Sequence, residues 1–282
     1  MAAAMRCYRH PDRETYLSCS ECGRPICAEC MTPAPVGQRC PEHSGKAQGV
    51  ARVRTVPRSL DTVGMPGLVT RTLIAINVGV YLAGLATGGT INGVGSTIFD
   101  KGFLYGPYVA QGDWWRLITT AFLHYGPVHL AFNMLFLYWV GTPVEDYLGR
   151  GRFLLVYLVS GLAGSAGALV FAPDNPTLGA SGAVFGVLGA AFVLERQRSY
   201  VLGGSAVGLI VINLALSFVL SNISLGAHVG GLIGGAACML ALSRFGRGHG
   251  AYGRLGITEY VAVIAVAALS VAIAYWKVRG YA

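Results

Sequence analysis

The sequence predicts an all-α polytopic membrane protein of seven helices, preceded by a small domain stapled by zinc. Three observations carry this. Of 282 residues, 54% are hydrophobic and only 12% are charged, with a mean hydropathy of +0.54, whereas a soluble domain carries about 25% charged residues. From residue 67 onward the charge-free stretches are long enough for bilayer crossings, each of which needs about 20 apolar residues. Finally, six of the seven cysteines fall within residues 1–44, in pairs with ligand spacing. So little charge cannot cover a water-soluble fold of this size, and the chain is too apolar to be disordered. The net charge of +8 does not imply a nucleic-acid partner. The basic residues lie in the N-terminal segment and in short turns between apolar runs, where membrane topology accounts for them.

Residues 1–44 form the first element. The pairs run Cys7-x2-His10, Cys19-x2-Cys22, Cys27-x2-Cys30 and Cys40-x2-His43. Eight donors make two tetrahedral zinc sites. On the cytoplasmic side the six cysteines stay reduced, which argues against disulfides. Only four residues separate Cys22 from Cys27, too tight for both pairs to wrap one ion. The expected pairing is therefore cross-braced: Cys7, His10, Cys27 and Cys30 at one site, Cys19, Cys22, Cys40 and His43 at the other. No open coordination position remains for catalysis, so the expected role is structural. In ligand order and length this segment resembles the B-box zinc-finger family, and it suits docking of a cytosolic protein partner or regulation. Residues 45–66 are basic, with Gly, Pro and Ser, and read as a linker. The N-terminus lacks the apolar stretch of a cleaved signal peptide.

The transmembrane domain occupies 67–282. Its helices are expected at 68–88, 126–144, 153–172, 181–195, 203–220, 226–243 and 258–277, the fifth and sixth separated by Ser221-Asn222-Ile223-Ser224. The third to sixth are rich in glycine and less hydropathic, which suits spans shielded from lipid. Arg150, Arg152, Arg196, Arg198, Arg244, Arg247 and Arg254 mark the cytoplasmic side with the linker. Segments 89–116, 174–176 and 221–225 face outward, and so does the C-terminus.

Ionisable groups inside spans are costly and suggest function. Between residues 199 and 243 there is no Asp, Glu, Lys or Arg, and His228 stands in Gly226-Ala227-His228-Val229-Gly230-Gly231-Leu232-Ile233-Gly234-Gly235. Gly231 and Gly235 let this helix approach a neighbour closely. The matching neighbour is Gly179-Ala180-Ser181-Gly182-Ala183-Val184-Phe185-Gly186, with Gly182 and Gly186 at the same spacing. Packing those faces places Ser181 beside His228, the base a serine hydroxyl needs to become a nucleophile. His129 and Asn133, four apart, share a helix face, and both can donate hydrogen bonds to an oxyanion.

With these motifs together, the chain over 67–282 resembles the rhomboid family of intramembrane serine proteases. The resemblance rests on Gly-x-Ser-Gly at 179–182, Ala-His with its downstream glycines at 227–235, His-x3-Asn at 129–133, and Trp115-Arg116. It implies a rhomboid-like bundle of six helices plus one C-terminal helix. It further implies a Ser181–His228 dyad without a carboxylate, and oxyanion donors from His129, Asn133 and the Ser181 amide. Phe185 stands where the family usually has a Tyr stacked on the histidine. His124 takes a structural position, and Glu145 an inner structural contact. Substrates would be transmembrane proteins, cut in or next to their spans, with no catalytic cofactor. The usage of Arg, Gly and Ala suggests a bacterial plasma membrane. The rival readings are a proteolytically silent binding protein, a haem carrier using His124, His129 and His228, and a metalloprotease, for which His-Glu-x-x-His is lacking.

Overall fold

The computed structural model describes residues 5–34, 37–44, 65–219, 223–243 and 255–281. The chain divides into two compact units, Met1–Val56 and Pro57–Ala282. Most of the expected linker (45–64), the break at Ser221-Asn222 and the basic turn at 244–254 lie outside the described residues.

The first unit is built from short pieces. Strands β1 (Met5–Arg6) and β2 (Glu14–Thr15) pair antiparallel, as do β3 (Thr32–Pro33) and β4 (Gln38–Arg39). Its interior consists of Ile26 and five cysteines. So small an apolar core cannot hold a domain of this size without a staple.

The second unit is helical. Helix α1 (Leu68–Ala86) is followed by three short helices, α2 (Thr97–Gly102), α3 (Gly106–Ala110) and α4 (Arg116–Thr119). The sequence reading gave this segment no elements, because pieces of four to six residues carry no readable period. Next, α5 (Gly126–Phe136) passes through a π turn (Leu137–Gly141) into α6 (Thr142–Leu148). Here the expected helix, 126–144, runs four residues longer. Pro143 removes an amide donor inside the helix, and the wider π turn just before it lets the chain continue without a break. The remaining helices are α7 (Arg150–Phe171), α8 (Ser181–Arg196), α9 (Ala206–Val219), α10 (Leu225–Leu242) and α11 (Ile257–Val278), each within three residues of expectation.

Among the described residues, α1, α7, α10 and the helical segment Ile257–Tyr281 are long and apolar enough to cross a membrane. Helix α8 is shorter. Its 16 residues rise about 24 Å, against a hydrocarbon core of roughly 30 Å.

Helices α7, α8 and α10 form the centre. The apolar windows of α7 and α10 are 61% and 56% buried, against 22% for α1 and for the C-terminal segment. Twelve of the 16 residues of α8 are buried. The expectation that the fifth helix is shielded as well does not hold. Helix α9 packs on α8 and α10 along one side and exposes Val207, Val211, Ile212, Leu216 and Phe218. It is dominated by branched apolar residues that suit lipid, with glycine only at Gly208.

Two contacts fix the ends of the bundle. The Glu145 carboxylate, fully buried, accepts from the amides of Val69 (2.8 Å) and Thr70 (2.7 Å) and from the Thr70 hydroxyl (2.7 Å). It thereby caps α1, which agrees with the structural contact expected of it. At the opposite end the Tyr281 hydroxyl donates to Asp174 at 2.8 Å. The C-terminal end of α11 therefore emerges at the Ser181 end of the bundle.

Candidate active site

Ser181 opens α8. The chain reaches it through Gly179, whose φ of +128° belongs to the region glycine enters without penalty. The approach is pinned by the segment that carries the short helices. Leu104 and Thr177 exchange two backbone hydrogen bonds of 2.9 Å, and the Gly179 amide donates to the Thr120 carbonyl at 3.0 Å. Arg116 secures that segment. Its buried guanidinium pairs with Asp113 at 2.8 Å and donates to the carbonyls of Asp100 and Phe103, both at 2.9 Å. Trp115 is half exposed, and its indole N–H donates to the Lys101 carbonyl at 2.9 Å. Thus Trp115-Arg116 acts on the wall of the site rather than on its centre.

His228 lies in the first turn of α10, which Ser224 caps by accepting from the Ala227 amide at 3.2 Å. The imidazole is 5% exposed and stacks on Phe185, with ring centroids 4.0 Å apart and planes at 16°. Helices α8 and α10 touch backbone to backbone. A Cβ on Gly231 would overlap the Gly182 carbonyl oxygen, and one on Gly235 would overlap that of Gly186. The expected pairing of glycine faces is therefore present, and it sets the first turns of the two helices side by side. Among the described residues no hydrogen bond joins Ser181 Oγ to His228. Such bonds are commonly long in the resting site and tighten with substrate.

His228 does have a polar partner that the sequence reading missed. Its Nδ1 lies 2.6 Å from Oγ of Ser217 on α9. A serine in an apolar helix is so often a packing residue that nothing in the pattern marks this one.

His129 and Asn133 lie on α5, facing the same region. The Tyr125 amide donates to His129 Nδ1 at 3.3 Å, which leaves the ring proton on Nε2. That Nε2–H lies over Gly179: a Cβ there would be 3.0 Å from Nε2 and 3.8 Å from Ser181 Oγ. Asn133 Nδ2 donates to the His129 carbonyl at 2.9 Å, and its second N–H remains available. His124 is buried edge-on against His129, 5.1 Å between centroids, with neither ring nitrogen partnered among the described residues. A pocket of ≈ 20 Å³ lies beside the site, lined by Thr120, Thr177, Gly179, Gly182 and Ala227. It is large enough for one water.

In the first unit the donors gather as two sets, Cys7, His10, Cys27 and Cys30, and Cys19, Cys22, Cys40 and His43, all atoms of a set within 4.8 Å of one another. His10 Nδ1 lies 3.4 Å from the sulfurs of Cys27 and Cys30, and His43 Nδ1 3.1 Å from that of Cys40. The sulfurs of Cys22 and Cys40 are 3.8 Å apart. A tetrahedral zinc with bonds of about 2.3 Å to sulfur sets edges of roughly 3.8 Å, so both donor sets fit such an ion. Burial opposes ionisation of Cys7, but backbone hydrogen bonds at Arg9, Cys27 and His10 outweigh it and hold the thiol at about 6. Cys30 is pushed up to about 11 by burial and by the neighbouring thiols of Cys27 and Cys7. A divalent cation is what lets all donors of a set bind deprotonated.

Against known proteins, residues 111–245 match the Rhomboid domain family. The chain carries a rhomboid domain. The match spans Ser181, His228, His129, Asn133 and Trp115-Arg116. The chain is 39% identical over 213 residues to the rhomboid protease GluP of Bacillus subtilis, covering 73% of this chain and 40% of the relative. It is 42% identical over 132 residues to the rhomboid relative YdcA of the same organism, covering 45% and 66%. RHOMBOID-like protein 7 of Arabidopsis thaliana is 36% identical over 147 residues, 50% of this chain and 47% of the relative. The chain thus matches between two fifths and two thirds of the length of these relatives. Together the rhomboid domain and the apolar helices make this an integral membrane protein.

Proposed function

We propose that this chain is an intramembrane serine protease that hydrolyses a peptide bond in or next to a transmembrane segment of membrane-protein substrates. The observation that carries the reading is the contact between α8 and α10. There Phe185 stacks on His228 at 4.0 Å one turn after Ser181, within a domain whose relative GluP is named a rhomboid protease.

Ser181 Oγ attacks the substrate carbonyl, and His228 Nε2 takes its proton. The tetrahedral oxyanion is held by His129 Nε2–H, the free N–H of Asn133 and the Ser181 amide. That amide belongs to the first turn of α8, where backbone donors have no helical partner and the helix dipole favours negative charge. His228 then protonates the leaving amine, and water hydrolyses the acyl-enzyme. No carboxylate is required, and the site lies below the outer surface of the membrane because α8 is short.

In the first unit, two zinc ions bound by the cross-braced sets would serve folding and not hydrolysis. The module would dock a cytosolic protein partner or regulate the protease from the cytoplasmic side of a bacterial plasma membrane.

A serine-directed fluorophosphonate tests the nucleophile directly. Labelling at Ser181 that disappears in Ser181→Ala and His228→Ala is the expected result. Absence of labelling in the folded wild type would favour a proteolytically silent, membrane-protein-binding rhomboid-like chain.

A further inference from the structure

Serine triads hold the catalytic histidine with a carboxylate on Nδ1, but α10 has no Asp or Glu, and Glu195 on α8 lies at the end opposite Ser181, where it accepts from the amides of Gly204 and Ala206. Nδ1 of His228 faces Ser217 instead. Ser217 Oγ lies 2.6 Å from Nδ1 and 2.7 Å from the carbonyl oxygen of Asn213, one turn earlier on α9. The hydroxyl has one proton. The Asn213 carbonyl can only accept, so that proton points to it. The remaining lone pairs of Oγ then face Nδ1, and Nδ1 must be the donor.

We infer that Ser217 is a positioning residue that fixes His228 as the Nδ1–H tautomer, leaving Nε2 free to take the proton of Ser181. The inference rests on the proposed Ser181–His228 dyad and explains how that dyad functions without a carboxylate. The opposite tautomer would place a proton on Nε2 and disable the base. When His228 becomes an imidazolium, its Nδ1–H keeps the same acceptor, so no rearrangement is needed during the reaction. Phe185 sets the plane of the ring by stacking, whereas Ser217 sets its rotation within that plane. Both side chains come from helices packed on α10. Ser217 is 6% exposed, which keeps water from replacing the hydroxyl. His129, on α5, is the titratable neighbour whose charge bears on His228.

The test uses the full chain reconstituted with a transmembrane reporter substrate. Ser217→Ala is expected to lower kcat roughly ten- to a hundredfold with KM nearly unchanged, a smaller loss than the roughly 10⁴-fold seen when a triad histidine adopts the wrong tautomer. Ser217→Thr, which keeps the hydroxyl, is expected to restore most of the rate. Nitrogen-15 spectra of histidine-labelled protein provide a second readout independent of turnover. The His228 signals, assigned by their loss in His228→Ala, should show a protonated Nδ1 in the wild type and a mixture in Ser217→Ala. A protonated Nε2 in the wild type, or an unchanged kcat in Ser217→Ala, would overturn the inference. Ser181→Ala separates the two ideas: cleavage surviving there removes the dyad itself, whereas its loss beside a fully active Ser217→Ala removes only the role of Ser217.

Discussion

At the scale of single residues, the site depends on proton positions that the backbone sets. The Tyr125 amide at 3.3 Å from His129 Nδ1 makes Nε2 the donor over Gly179, and the Asn133 amide is anchored by its bond to the His129 carbonyl. In the proposed reaction, removing either donor leaves the developing oxyanion short of a partner. His129→Ala and Asn133→Ala are each expected to lower kcat about 10²–10³-fold, as loss of one oxyanion donor does elsewhere, while the protein keeps its thermal stability. Steady-state cleavage of a reporter measures both. These residues were legible because each departs from its surroundings. His228 is the lone imidazole in a charge-free run, and His129 and Asn133 sit one helical turn apart. Ser217 departs from nothing. Its role depends on which helix packs across from it, and a one-dimensional pattern does not contain that.

At the scale of elements, two contacts hold the site in place. The first is the glycine seam between α8 and α10. Because a Cβ on Gly231 would overlap a backbone oxygen of α8, Gly231→Ala must push the helices apart. A destabilisation of about 1–3 kcal/mol is expected for such overpacking, together with loss of cleavage as Phe185 and His228 unstack. Thermal unfolding in detergent and reporter cleavage report the two effects. A fully active Gly231→Ala would show that the close approach is dispensable. The second is the cap on α1. Glu145→Ala leaves three buried donors, on Val69 and Thr70, without an acceptor. Each unsatisfied group costs about 1–3 kcal/mol, so a marked fall in thermal stability is expected, and it should exceed that of Glu145→Gln. The positions of the long helices were legible from charge-free length. The short helices between residues 97 and 119, the π turn before Pro143 and the lipid-facing sides of α9 were not, because each is decided by tertiary packing rather than by local period.

At the scale of the whole molecule, two units of different physics share one chain. The membrane unit buries glycine faces, whereas the first unit has a core of Ile26 and cysteines and eight donors in two sets. Native mass spectrometry is expected to find two zinc ions per chain, and Cys7→Ser and Cys19→Ser should each remove one. Chelation should unfold the first unit and leave hydrolysis of a generic reporter essentially intact. If chelation abolished cleavage in a variant lacking residues 1–44, the metal would have to act elsewhere. The cross-braced grouping was readable from the four-residue gap between Cys22 and Cys27, which is tight for both pairs on one ion, and the donors gather in those two sets.

The central claim is that Ser181 and His228 perform peptide hydrolysis within the membrane. Its most direct test compares wild type, Ser181→Ala and His228→Ala in liposomes, with a reporter whose transmembrane segment carries small, helix-weakening residues. Cleavage by the wild type and by neither variant is the expected result. Cleavage that persists in Ser181→Ala would contradict the claim.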